Sequence, residues 1–359
     1  MKIDNWTEIP LTNGEQAMRK NLFYTLVLAF FIFSWSPSTP GSASTPSPNE
    51  AAAPIIAGCP QFPKDNVWNG RVDSLPVDSK SGDYITSIGP TNGLHPDFGS
   101  GTYAGGPIGI PFNVVPGSQP GVKVTFQYSG ESDHGLYPIP SNPLIEGGPH
   151  SNGDRHILVV DKDHCKLYEL YSAYPQADGS WQTGSGAIWN LASNDLRPDT
   201  WTSADAAGLP ILPGLVRYDE VAAGKIAHAL RFTANITQKA HIWPARHDAS
   251  SYTDDNRPPM GQRFRLKAGF NISGFSHDVQ VILQAMKTYG IILADNGSDW
   301  YISGAPDERW DNDKLVNELK QVHGSDFKAV GESGWMVDPN SGQVKGPNWS
   351  NHVWVPIVR

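Results

Sequence analysis

Two short stretches of this 359-residue chain carry side chains whose types and spacing could move protons. In "YSGESDHGLYPIP", Glu131 and Asp133 lie two apart and share a face if an extended strand continues past Gly130. Paired carboxyls suit glycoside hydrolysis, where one acid protonates the leaving oxygen and one carboxylate acts as nucleophile or base. Glu146, in "IEGGPH", could bring a further acid across such a site. In "GDRHILVVD", Asp154 and His156 are again two apart, with Arg155, Ile157 and Val159 on the opposite alternation. An Asp beside a His fixes its tautomer and raises its basicity, which serves a general base or a metal ligand. A metal needs a third ligand, for which His150 is the candidate. No HxH or HExxH spacing accompanies these residues, so neither a metal nor another cofactor is expected.

Substrate-binding residues are expected further along. "WTSADAAGLPILPGLVRYDEV" (201–221) brings Trp201 together with Asp205, which either caps a turn with Ser203 or lines a pocket. "HIWPARHDAS" (241–250) gathers Trp243, Arg246 and His247 around a proline, a combination suited to stacking on a sugar ring and fixing its hydroxyls or carboxylate. "ADNGSDWYISGAPDERW" adds Asp295, Trp300 and Trp310. If the acids were merely solvated, the same aromatics would describe a non-catalytic glycan-binding or cell-surface module.

The elements that must position these residues read as β-structure. Short β-branched or aromatic runs bounded by Gly, Pro, Asn or Asp predict strands at 122–128, 155–161, 165–173, 228–234 and 263–270. "DKDH" (161–164) reads as the turn of a hairpin, "IILADNGSDWYISG" as a second hairpin turning at Asn296-Gly297, and "GSGAIW" (184–189) as a bulge or turn. Two helices are predicted, at 276–290 with Ser276 as N-cap and at 311–324. The expected fold is mainly β, a sandwich or jelly-roll-like body with two late α-helices.

Gly 36, Pro 30 and only 18% charged residues fit a turn-rich β protein better than a helical bundle. The net charge of -9 offers no basic field, so nucleic acid is not an expected partner. "LFYTLVLAFFIFSW" (22–35), preceded by Arg19 and Lys20 and followed by small residues, predicts a secretory signal over 1–43 with Met18 as its true start. Export without lasting membrane association follows from that reading. A Pro/Ser/Ala-rich linker (44–58), one β-rich domain (59–330) and a Trp/Gly-rich tail (331–359) are expected after it. Cys59 and Cys165 are the two cysteines of an exported chain and are expected to form a disulfide.

No GxSxG elbow, P-loop, dinucleotide fingerprint or Cys-His nucleophile signature is present. The "ESD" of 131–133 resembles part of the ExDxxE strand of laminarinase- and lichenase-type glucanases, although Leu136-Tyr137 stand where the third acid falls. "RFRLKAGF" resembles the "YFKAGxYxQ" block of β-jelly-roll alginate lyases, which would imply uronate elimination; the Tyr is Phe264 or absent, and the downstream Gln is missing. The blocks "GDRHILVVD", "GSGAIWNL" and "SADAAGLPILPGLVRYDE" resemble a family of exported bacterial proteins, which implies a single secreted domain and no particular activity. The activity expected on balance is a secreted glycoside hydrolase acting on a polysaccharide, with Glu131, Asp133, Asp154 and His156 as acid/base candidates and Trp201, Asp205, Trp243, Arg246 and His247 as binding residues.

Overall fold

"ILVV" at 157–160 is apolar at every position, the pattern of a strand buried on both faces. The computed structural model, which describes residues 53–346, shows the reason. Every residue of the strand Ile157–Asp161 is buried. Ile157 and Val159 face one core, with Val124, Tyr137 and Trp181, while Leu158 and Val160 face a larger one, with Leu167, Trp189 and Phe232. The strand thus forms part of a middle layer between two apolar clusters.

That layer is a four-stranded sheet ordered Ser185–Asn190, Lys166–Tyr171, Ile157–Asp161, Phe112–Val115. A second four-stranded sheet, Tyr174–Pro175, Trp181–Thr183, Val122–Phe126, Leu136–Tyr137, covers its outer face through the smaller core. The larger core is shared with a mixed six-stranded sheet ordered Phe327–Val330, Arg263–Leu266, Ile291–Asn296, Leu230–Ala234, Tyr301–Ser303, His95–Asp97. The body is therefore mainly β and sandwich-like, as the composition and strand pattern predict.

The two late helices form, as His277–Thr288 and Asn312–Leu319. Val279, Ile282, Leu283 and Met286, at helical spacing, are the buried stripe of the first. Ser276 occupies its N-cap position without a side-chain cap bond, whereas the Asp311 carboxylate accepts the Lys314 N–H at the start of the second. Ser81–Ile88 is a further helix that the sequence reading did not mark.

Two local expectations are corrected. Ile291–Asn296 and Tyr301–Ser303 are not hairpin partners, because Leu230–Ala234 lies between them, parallel to the first and antiparallel to the second. "GSGAIW" is not a turn: Ser185–Asn190 pairs along its whole length with Lys166–Tyr171. Its glycine is a packing requirement, since a Cβ on Gly186 would lie 2.6 Å from the Phe126 ring and 2.7 Å from the Tyr137 hydroxyl. Trp300 and Trp310 are core residues, Trp300 stacking on Phe232 and Phe327.

Of the tail, residues 331–346 pack Trp335 and Val344 into the large core, and Glu332 forms a fully buried ion pair with Arg263 at 2.8 Å. The signal segment, most of the linker, and the tail beyond 346 lie outside the described residues. Among the described residues, no helix is long and apolar enough to cross a membrane.

Cys59 and Cys165 are bonded across a sequence separation of 106 residues, tying the start of the domain to the DKDH hairpin. A closure of that length restricts the unfolded chain strongly. The Cys59→Ser/Cys165→Ser double variant is expected to lose about 2–5 kcal/mol of unfolding free energy in urea titration. An unchanged midpoint and slope would show that the bond adds nothing to stability.

Candidate functional site

The loop between Ser185–Asn190 and the helical turn Leu212–Gly214 is held from both large layers. From the middle sheet, the buried Glu169 carboxylate accepts the N–H groups of Ile211 and Leu212 at 2.9–3.0 Å, and the Trp189 indole N–H at 3.0 Å. Burial outweighs these donors and pushes Glu169 up to about 7. From the six-stranded sheet, the Ala294 carbonyl accepts the Ala207 N–H at 2.9 Å. Ser203 closes the loop on itself, its hydroxyl accepting the Asp205 N–H at 2.9 Å and donating to the Leu209 carbonyl at 2.6 Å.

This frame presents Asp205 to Arg231, a strand residue of Leu230–Ala234. The guanidinium donates to both carboxylate oxygens, Nη2 to Oδ1 at 2.7 Å and Nε to Oδ2 at 3.1 Å, while Nη1 donates to the Ser303 hydroxyl. Asp205 is 1% exposed and Arg231 4%. Asp295, near the end of Ile291–Asn296, lies beside the pair, with its Oδ2 3.7 Å from Arg231 Nη2. Burial, followed by the charge of Asp205, raises the Asp295 pKa well above the ordinary carboxyl value; its carboxyl hydrogen-bonds to Asp205. Asp295 is thus held toward its protonated form.

Asp205 and Asp295 line a cavity of about 450 Å³, together with Glu131, Asp154, His247, Tyr128 and Tyr171. Glu131 ends a 3₁₀ turn, Ser129–Glu131, and its Oε2 accepts the Thr202 N–H at 3.2 Å. His247 donates from Nδ1 to the Ala206 carbonyl at 2.8 Å, which leaves Nε2 facing Glu131 Oε2 at 3.9 Å. Asp154 sits at the exposed side, and its carboxylate accepts no hydrogen bond among the described residues.

Several expected partnerships differ. Glu131 and Asp133 do not share a strand face, because the chain turns at 129–131. The Asp133 carboxylate is bound by Arg197 and by the Ile188 N–H at 2.9 Å, which ties the segment after the 129–131 turn to the middle sheet, and it does not line the cavity. Asp154 and His156 do not alternate on a strand, since Arg155 has φ 52° and the strand begins at Ile157. His156 is instead buried against Glu146, with Nδ1 donating to the carboxylate at 2.6 Å and Nε2 donating to the Ala204 carbonyl at 2.9 Å. Burial pulls this imidazole down, yet the Glu146 charge and hydrogen bond outweigh it and hold His156 up at about 9.

The oxygens of Glu146 and Asp154 and a His156 nitrogen lie within 4.8 Å of one another, a spacing that could hold a cation. Donation from both ring nitrogens leaves the imidazolium no lone pair for a metal, so the present arrangement is an ion pair with a neighbouring carboxylate. His150 is not part of the group.

Among the expected binding residues, Asp205 and His247 line the cavity, while Trp201, Trp243 and Arg246 do not. The Arg197 guanidinium lies over the Trp201 ring at 5.5 Å. Trp243 donates from its indole to the Ser341 carbonyl at 2.9 Å. Arg246, buried, donates to the carbonyls of Arg197 and Pro339 at 2.8 Å and to the Asn340 side chain at 3.0 Å, and so fastens the tail. Sequence reasoning missed Arg231 and Glu169. Each is a charged residue whose immediate neighbours in its strand are apolar or aromatic, a pattern that signals a buried partner.

The His156 assignment fixes a pH dependence. A pKa raised from 6.5 to about 9 contributes stability that is complete below 6.5 and lost as pH rises through 9. The stability gap between the wild type and His156→Gln, from chemical denaturation, is therefore expected to narrow by a few kcal/mol across that window. A gap that stays level would contradict a charged His156.

No family model matches the chain, and neither a curated protein nor a solved structure is significantly similar to it.

Proposed function

We propose that the protein is a secreted glycoside hydrolase that cleaves a polysaccharide by carboxyl acid/base chemistry in the cavity between the middle and six-stranded sheets. The supporting observation is Asp295, a carboxyl that burial and the neighbouring Asp205 push toward its protonated form and that shares a cavity with Asp154, whose carboxyl accepts no hydrogen bond among the described residues. Glycoside hydrolysis asks for that division, a protonated acid for the leaving oxygen and an ionised group for the nucleophilic step.

In this reading Asp295 is the general acid. Its side chain is 24% exposed, whereas that of Asp205 is fully covered, so Asp295 reaches substrate and Asp205 acts through it. Once the proton leaves, Arg231 Nη2, 3.7 Å away, steadies the new carboxylate. Asp154 serves as base or nucleophile. Tyr128, 48% exposed at the cavity, and Tyr171 supply ring surface for a sugar, the task the sequence suggested for tryptophans. The disulfide is consistent with an exported enzyme.

A polysaccharide panel read for reducing ends tests the assignment. Asp295→Asn and Asp154→Asn are each expected to lower kcat about 10²–10⁴-fold while the fold is kept. Activity should fall as pH rises through the elevated Asp295 pKa, and Asp205→Asn should move that limb to lower pH, because it removes a charge that holds the proton on Asp295. Glycan binding without turnover in the wild type would instead support a non-catalytic module, and ultraviolet absorbance from unsaturated uronates would support a lyase.

A further inference from the structure

Most charges around the cavity have a partner in place, and on its lining the acids Glu131, Asp154, Asp205 and Asp295 outnumber the single basic residue, His247. Asp205 is matched by Arg231, and Glu146 by His156. Arg231 is buried, does not line the cavity, and turns three of its five N–H groups to Asp205 and Ser303. His156 likewise donates from both nitrogens to protein acceptors. A carboxylate-bearing sugar would find His247 as the remaining basic group on the lining, and Glu131 already stands 3.9 Å from its Nε2.

Two acceptors face the cavity with open capacity. Asp154 has no hydrogen-bond donor among the described residues, and the proposed chemistry requires it. Glu131 is the other. Its Oε2 is fixed by the Thr202 N–H of the rigid loop, while its Oε1 accepts no hydrogen bond among the described residues. A carboxylate anchored through one oxygen and open at the other suits a charge-assisted hydrogen bond to an ammonium group.

We propose that the cavity is selective for amino sugars, with Glu131 receiving the free ammonium of the substrate while polyuronates are excluded. The inference rests on the glycosidase reading for its choice of a sugar, and on the excess of acids over bases on the cavity lining for its choice of a cation. Glu131 is here a specificity residue and takes no part in the proton transfers.

Binding measured without turnover separates this inference from the hydrolase reading. Calorimetric titration of the full-length Asp295→Asn protein would use oligosaccharides of glucosamine and galactosamine, each beside its N-acetylated counterpart, with a uronate oligosaccharide and tetralysine as further probes. The free amines are expected to bind about tenfold or more tightly than their acetylated forms, increasingly so as salt is lowered. Adding Glu131→Gln should erase that preference and leave the weaker affinity for the acetylated sugars unchanged, a readout that misfolding could not give.

Equal affinity for acetylated and free amines, tighter binding of the uronate, tetralysine binding as well as the amino sugars, or no binding of any amino sugar would each overturn the inference. If wild type cleaves a neutral glycan with no amine preference, the hydrolase reading survives and this one fails. If amino sugars bind selectively but no bond is cleaved, selectivity stands and the hydrolase reading fails.

Discussion

The guanidinium of Arg231 is the point on which the centre of the molecule turns. Placing it in the interior removes its hydration, a loss of several kcal/mol that attraction to a carboxylate offsets only when the geometry is close to ideal. Asp205 meets that demand with both oxygens, and the Ser303 hydroxyl accepts a third bond. Because Arg231 belongs to the six-stranded sheet and Asp205 to the loop packed against the middle sheet, one interaction fixes the register between the layers. It also leaves a carboxylate charge beside Asp295, and that charge helps determine the protonation state on which the proposed chemistry relies.

The loop could not offer Asp205 so accurately without Glu169. A buried acid in the middle of a strand would ordinarily be a liability, but here it satisfies two loop N–H groups and an indole that would otherwise lie unbonded in the core. Its strand, Lys166–Tyr171, pairs directly with Ile157–Asp161, the strand clamped between two apolar clusters. The position of Asp205 is thereby transmitted from close-packed elements and owes little to the loop's own stiffness, which is how a loop acquires the precision an active site needs.

What the sequence makes legible follows the same division. Elements governed by periodicity are recovered: the five predicted strands, both late helices, and the disulfide. Contacts that depend on where a strand begins are not. Asp154 and His156 would share a face only in extended backbone, and the left-handed turn at Arg155 rotates His156 inward to Glu146, ten residues away in the chain. Aromatic composition misled in a comparable way, because Trp243 and Arg246 are occupied by carbonyls of 339–341, contacts across roughly ninety positions that no local pattern encodes. Arg231 and Glu169 are different. Their placement among apolar strand residues is visible in "HALRFTA" and "KLYELY", and the rule that buried charges are paired would have marked both, though not each one's partner.

The asymmetry between the two neighbouring carboxyls follows from their contacts. A neutral Asp205 side chain would weaken two charge-assisted bonds to Arg231 and leave the buried guanidinium underneutralised. Protonating Asp295 removes a repulsion and gives its hydroxyl an acceptor. The proton therefore resides on the acid that is open to the cavity. Behind the lining, Glu146 and His156 repeat the logic, a close pair that cancels its own field. With those pairs neutral in themselves, the cavity's potential is left to Asp154 and to the Oε1 of Glu131, whose Oε2 faces His247 at 3.9 Å, so the pairing behind the lining also bears on the sign of charge the proposed site favours.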